Sequence, residues 1–115
     1  MKRRRVYAHG VRVEAAGSTL VDTVDTLAVY ETALEPRLYV DPRHVRMELL
    51  VASASQTYCP YKGTATYWSA RIDDAVLADI AWSYEEALPE SLPLQHLLSF
   101  DENRVSVHHD LPPAA

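Results

Sequence analysis

Cysteine is almost missing from this sequence: among 115 residues only Cys59 carries a thiol. One cysteine makes no disulfide within the chain and supplies at most one ligand to a thiolate zinc site. The fold therefore depends on burial alone, which suffices, since a domain of this size buries roughly two-thirds of the surface its unfolded chain exposes. Long apolar runs are missing as well. A stretch such as residues 47–52 contains Glu48 and falls far short of the ~20 residues a membrane-spanning helix needs. Residues 2–5 are basic, but Arg12 and Glu14 interrupt the residues after them, so no apolar core of a signal peptide is expected. A cytoplasmic protein without membrane contact is the expectation.

Positive charge is scarce beyond the N-terminus. Between Arg71 and Arg104 there is no Lys or Arg, against eight acids. Residues 1–12 hold five basic groups and no acid; the remaining six basic and sixteen acidic groups leave the rest near −10, for a total of −5. Such a body repels a phosphate backbone, whose binding needs placed Lys and Arg, so nucleic acid is not an expected partner. The run Lys2-Arg3-Arg4-Arg5 reads as a solvated arm. One domain fits the length: a basic arm over 1–9, a β domain over 10–108, and a disordered tail over 109–115, where Pro112 and Pro113 cannot donate to a ladder.

What is plentiful is alternation of period two. Val11 and Val13 oppose Arg12 and Glu14; Val45, Met47, Leu49 and Val51 alternate with their neighbours; Thr66, Trp68, Ala70 and Ile72 share one face; Ala78, Ile80, Trp82 and Tyr84 share another. These predict half-buried strands, with Val45, Met47, Leu49, Val51, Trp68 and Ile72 in the core. Turn signals separate them at Ala16-Gly17-Ser18, Asp41-Pro42-Arg43, residues 59–63, Asp73-Asp74 and Asp101-Glu102-Asn103. Helix is poorly supported, because Pro89 and Pro93 break the best stretch and leave one turn near 93–97. The expected class is mainly β: at least six strands in a compact barrel or sandwich with one or two short helical turns.

The most distinctive stretch is Cys59-Pro60-Tyr61-Lys62-Gly63 running into Tyr67-Trp68. Pro60 holds Cys59 extended, and Gly63 permits a tight turn or a close backbone approach. A thiol beside Lys62 can serve as a nucleophile with a lowered pKa; equally, Cys59 can be a small buried hydrophobe. If residues 27–32 form a regular strand, Glu31 shares the apolar face of Leu27 and Val29. An inward carboxylate needs a partner, and a pocket acid facing Lys62 is one reading, a strand-end acid reaching solvent or pairing with an arginine the other. Tyr39, Tyr67, Trp68, Trp82 and Tyr84 supply aromatic surface for a pocket or for the core. His9, His44, His96, His108 and His109 show no metal-ligand spacing, so neither metal nor cofactor is expected.

Taken together, Tyr30-Glu31-Thr32, Leu38-Tyr39 with Pro42 and Val45, residues 59–68, Ala81-Trp82-Ser83-Tyr84 with Pro89, and Leu98-Ser99-Phe100 with Arg104-Val105 resemble the bacterial and fungal family called domain of unknown function 427. The resemblance spans roughly 10–108. It implies a compact β structure similar to the β-tent or Mss4-like barrels. The chain lacks the paired Cys-x-x-Cys ligands of their zinc-binding members, so that metal does not carry over. Tyr30, Asp41 and His44 depart from the residues usual in the family.

Three functions remain as alternatives. The first is a small-ligand-binding domain with Glu31, Tyr39, Lys62, Tyr67, Trp82 and Tyr84 around its pocket. An enzyme using Cys59 as nucleophile or redox thiol is the second. The third is a structural or protein-interaction module with no pocket chemistry. The partners expected are a small-molecule ligand and, as an alternative, a second copy of the chain in a homodimer.

Overall fold

The computed structural model of the chain describes residues 4–7, 10–30 and 36–110. Its strands are β1 (Arg4–Tyr7), β2 (Val11–Ala15), β3 (Ser18–Thr23), β4 (Thr26–Val29), β5 (Arg37–Tyr39), β6 (Leu50–Cys59), β7 (Gly63–Ile72), β8 (Ala75–Ser83), β9 (Leu98–Phe100) and β10 (Ser106–His109). They form three antiparallel sheets, ordered β1-β4-β5, β10-β2-β3 and β6-β7-β8-β9. Arg4 and Arg5 of the basic N-terminus pair with Val29 and Ala28 on β4. A single bridge from Val40 to Leu98 sets β5 beside β9, and another, Val21 to Val45, ties the segment ahead of β6 to β3. Among the described residues no sheet closes into a barrel. The predicted β class holds, and no helix among the described residues is long and apolar enough to cross a membrane.

Turns fall where the sequence signals them. Ala15 pairs with Ser18, and the two residues between, Ala16 and Gly17, both take positive φ (48° and 79°). Positive φ at both positions matches the twist of a two-residue hairpin. Asp73 does the same job before β8 at φ 53°, a conformation Asp tolerates better than most L residues.

The core has two parts, one on each face of the β6–β9 sheet. The larger cluster includes Val13, Leu20, Val21, Ile80, Ala81 and Leu98, with Trp68 packed against it. The smaller holds Val29, Tyr39, Ala65, Tyr84 and Leu94, with Tyr67, Trp82 and Cys59 packed against it. Alternation sorts the residues: on β7, Trp68, Ala70 and Ile72 face the first cluster, and Ala65 and Tyr67 face the second. Each fully buried Leu or Ile contributes about 1.5–3 kcal/mol of transfer free energy.

Two readings of the alternation need correction. Residues 45–51 are not one strand. Val45 forms a bridge, Met47–Leu49 winds into a 3-10 turn, and β6 begins only at Leu50. Leu50 is buried and Val51 is 51% exposed, because the turn shifts the alternation by one residue. A 3-10 turn also follows Asp41, whose carboxylate caps Arg43 N–H, and a third covers Pro89–Leu94, ahead of the turn expected near 93–97. The second correction concerns β8. Ile80 and Trp82 belong to opposite clusters, since the strand is bulged and its alternation shifts.

The bulges are paired across β7. On β6, residues 53–55 stand opposite Tyr67 alone; on β8, residues 78–80 stand opposite Ser69 alone. Asp79 sits at the crest with φ 49°. Its carboxylate accepts from Ser53 Oγ at 2.6 Å and Ser55 Oγ at 2.7 Å, and its N–H donates to Ser69 Oγ at 3.1 Å. One side chain thus ties both bulges over the central strand, which bends the sheet.

The Ser53 and Ser55 hydroxyls hold the Asp79 carboxyl below its ordinary pKa. A carboxyl lowered in the folded state adds stability above its unfolded pKa and loses it as pH falls through the folded value. Asp79→Asn is therefore expected to be less stable than wild type at neutral pH, with the two converging below about pH 4, near the unfolded Asp value. Urea midpoints between pH 7 and pH 2.5 check this; curves that stay parallel would refute it.

Candidate functional site

A cleft of about 260 Å³ opens on the second-cluster side of the β6–β9 sheet, lined by Arg37, Tyr39, Lys62, Tyr67, Trp82, Tyr84 and Asp101. Strand alternation sets much of this lining. Arg37 and Tyr39 lie two apart on β5, and Trp82 and Tyr84 lie two apart at the end of β8, so each pair shares a face. Tyr67 and Trp82 are directly paired across β7 and β8, their ring centroids 6.4 Å apart at 42°. The guanidinium of Arg37 lies 5.6 Å from the Trp82 ring centre, at cation–π distance. The bridge between Val40 and Leu98 brings β5 to this sheet.

Lys62 reaches the cleft from the turn between β6 and β7. Its N–H donates to Cys59 O at 3.2 Å, closing the turn, and its carbonyl accepts from Leu88 N–H at 3.0 Å. Ser91 Oγ donates to Tyr61 O at 2.9 Å. The Pro89–Leu94 segment thus clamps the turn from outside, and Lys62 is only 7% exposed although it lines the cleft. Burial of this kind restricts an ammonium to few positions, a condition for directed recognition.

A hydrogen-bonded chain secures the end of β8. Trp68 Nε1 donates to Ser83 Oγ at 2.9 Å, Ser83 Oγ donates to Glu85, and Glu85 Oε1 meets His96 Nδ1 at 2.8 Å. Ser83 is fully buried and lies between Trp82 and Tyr84, so this chain holds the backbone that presents both aromatics. Tyr67 is held by its hydroxyl, which is 3.0 Å from Thr57 Oγ1.

Five of the side chains read from the sequence as pocket residues, Tyr39, Lys62, Tyr67, Trp82 and Tyr84, line this one cleft. Glu31 lies outside the described residues. Leu27 and Val29, whose face alternation assigns to it, pack in the second cluster. Trp68 faces the opposite cluster. Cys59 ends β6 opposite Gly63, is half-buried, and packs against the second cluster without lining the cleft.

Sequence reading missed Arg37 and Asp101. Arg37 carried a signal, its spacing of two from Tyr39. Asp101 carried none: it stands in a turn after β9, and only the approach of β5 to β9 brings it to the cleft. There its carboxylate accepts from Asn103 N–H at 2.9 Å and pairs with Arg104 at 3.4 Å.

The profile of the family described as Domain of unknown function (DUF427) matches residues 5–110. No curated protein matches the chain.

Proposed function

We propose that this chain, which belongs to the domain of unknown function 427 family, is a small-ligand-binding domain whose ligand sits in the cleft of Arg37, Tyr39, Lys62, Tyr67, Trp82, Tyr84 and Asp101. The observation that carries this reading is convergence. Segments remote in sequence deliver two cations, one acid and four aromatic rings to one concave site. Aromatic surface with a few fixed polar groups on a concave wall is what small-molecule sites share. The cleft is just below the usual volume range for drug-sized ligands, so its occupant is small. Cys59 enters this reading as a residue that packs against the second cluster without lining the cleft.

The test is a thermal-shift screen of small metabolites on wild type, Lys62→Met and Trp82→Ala, each variant first shown to be folded by circular dichroism. A ligand at about a hundred times its Kd is expected to stabilise wild type by ~2.7 kcal/mol, a rise of roughly 10 °C for a domain of this size. Both variants should lose most of that rise. Hits that stabilise wild type and both variants equally would place binding elsewhere and end the reading.

A further inference from the structure

We infer that β6 is a dimer edge: two copies of the chain pair their β6 strands antiparallel across a twofold axis and join their β6–β9 sheets into one. β6 ends its sheet, and among the described residues no strand pairs with its outer side. It is ten residues long, and only Leu50 in it is buried. The other strands that end a sheet, β1, β3, β5, β9 and β10, span three to six residues. A free edge offers its backbone to another strand, and proteins that stay single guard it with charge, proline or brevity. β6 contains no Asp, Glu, Lys, Arg, His or Pro. Every other terminal strand carries a charged residue or a histidine, except β9, which is bounded by the bridge to Val40.

Charge and symmetry make the partner a second copy. The chain carries a net charge of −5, so two copies repel unless they meet where neither is charged, and β6 is such a line. Asp79 reaches β6 with its carboxylate, but the Ser53 and Ser55 hydroxyls engage it. Only alternate residues of a strand turn N–H and C=O to one side, so a strand paired with itself joins residues an even number of positions apart. The bulge keeps this parity, because Ala52 and Gln56 stand opposite Trp68 and Thr66. Residues 50–52 and 56–59 are in regular register with β7. One self-pairing of allowed parity lays all of 50–52 on regular strand of the copy: Leu50 to Tyr58, Val51 to Thr57, Ala52 to Gln56. Ala54 then meets its own copy on the twofold, bulge against bulge. The Tyr58 ring, 68% exposed, lies beside Leu50 of the second copy, at the rim of the larger core where Met47 and Leu49 also pack. Val51, 51% exposed, faces a β-branched Thr57. The axis repeats both cross-strand contacts, so β6 alone supplies both halves of the interface.

The test puts charge on the twofold. Ala54 is exposed, so Ala54→Asp and Ala54→Lys should keep the fold, which circular dichroism verifies. Sedimentation equilibrium of wild type from about 10 μM to 1 mM is expected to show monomer passing into dimer, as suits an interface below standard size. Like charges set against each other are costly at a contact, so each variant alone should dimerise about tenfold more weakly or worse. An equimolar mixture of the two should dimerise again, because Asp then opposes Lys. Tyr58→Ser, outside the bulge, tests the same pairing should the charged variants unfold, and it should weaken the dimer several-fold by removing a cross-strand contact twice. A wild type that stays monomeric at the highest concentration overturns the inference and leaves the edge to a strand of another protein. A dimer that the variants form as tightly as wild type overturns it too, since its interface then lies elsewhere. Charged variants that weaken the dimer but do not recover on mixing refute the register, and with it the pairing of β6 with itself.

Discussion

Gly63→Ala is expected to lower the thermal unfolding midpoint by roughly 10 °C or more. Gly63 opens β7 at φ 110°, a conformation L residues rarely adopt, and holding one there costs about 1–3 kcal/mol. A second cost adds to the first. A Cβ at this position would lie 3.1 Å from the Glu86 carbonyl oxygen and 3.6 Å from Leu88. Backbone cannot swing aside as a side-chain tip can, so the Glu86–Leu88 segment must shift. That segment donates the Leu88 N–H to the Lys62 carbonyl, and its displacement loosens the turn that carries Lys62 into the cleft. Gly17→Ala is the control: Gly17 also has positive φ, at 79°, but a Cβ there meets nothing within 4 Å. It should cost about 1–2 kcal/mol, the ordinary left-handed penalty. Calorimetric melts of the two variants decide the matter, and equal losses would show that the close approach carries no energy.

Leu94→Ala should be comparably damaging for a different reason. Leu94 is fully buried at the end of the Pro89–Leu94 turn and belongs to the cluster of Val29, Tyr39, Ala65 and Tyr84. Truncation removes transfer free energy and leaves a cavity, at a cost of about 2–5 kcal/mol, or again roughly 10 °C or more. Tyr39 and Tyr84 also line the cleft, so ligand binding should weaken along with stability. Leu92, two residues earlier and 53% exposed, should tolerate alanine within about 0.5 kcal/mol. Chemical denaturation of both variants checks the contrast; an unaffected Leu94→Ala would mean that the second cluster closes around the missing atoms.

The second cluster also shows how far strand alternation can be read. Tyr39, Tyr67, Trp82 and Tyr84 were legible as one aromatic surface because each sits on a strand, or at its end, where neighbours alternate. Lys62 was legible because Pro60 and Gly63 mark a shaped turn. Ile80 was misplaced beside Trp82, since a bulge adds residues without any change in hydrophobic pattern. The only local hint is Asp79, a residue tolerant of left-handed backbone at the point where the strand must bend. Val51 failed similarly: three residues of 3-10 turn before β6 moved the buried position to Leu50.

The sequence by itself determined the β class, the turns and the two-sided character of β7, because side-chain alternation and turn preferences are local properties of the chain. It also supplied five of the seven cleft residues. Tertiary structure alone decided that those five meet, and that Arg37 and Asp101 join them. That outcome depends on β5 lying beside β9, on paired bulges that curve the sheet, and on the Pro89–Leu94 segment clamping the Lys62 turn. Each is a contact between segments remote in sequence. Its free energy depends on the shape the rest of the chain has already taken, and no local pattern of residues encodes that shape.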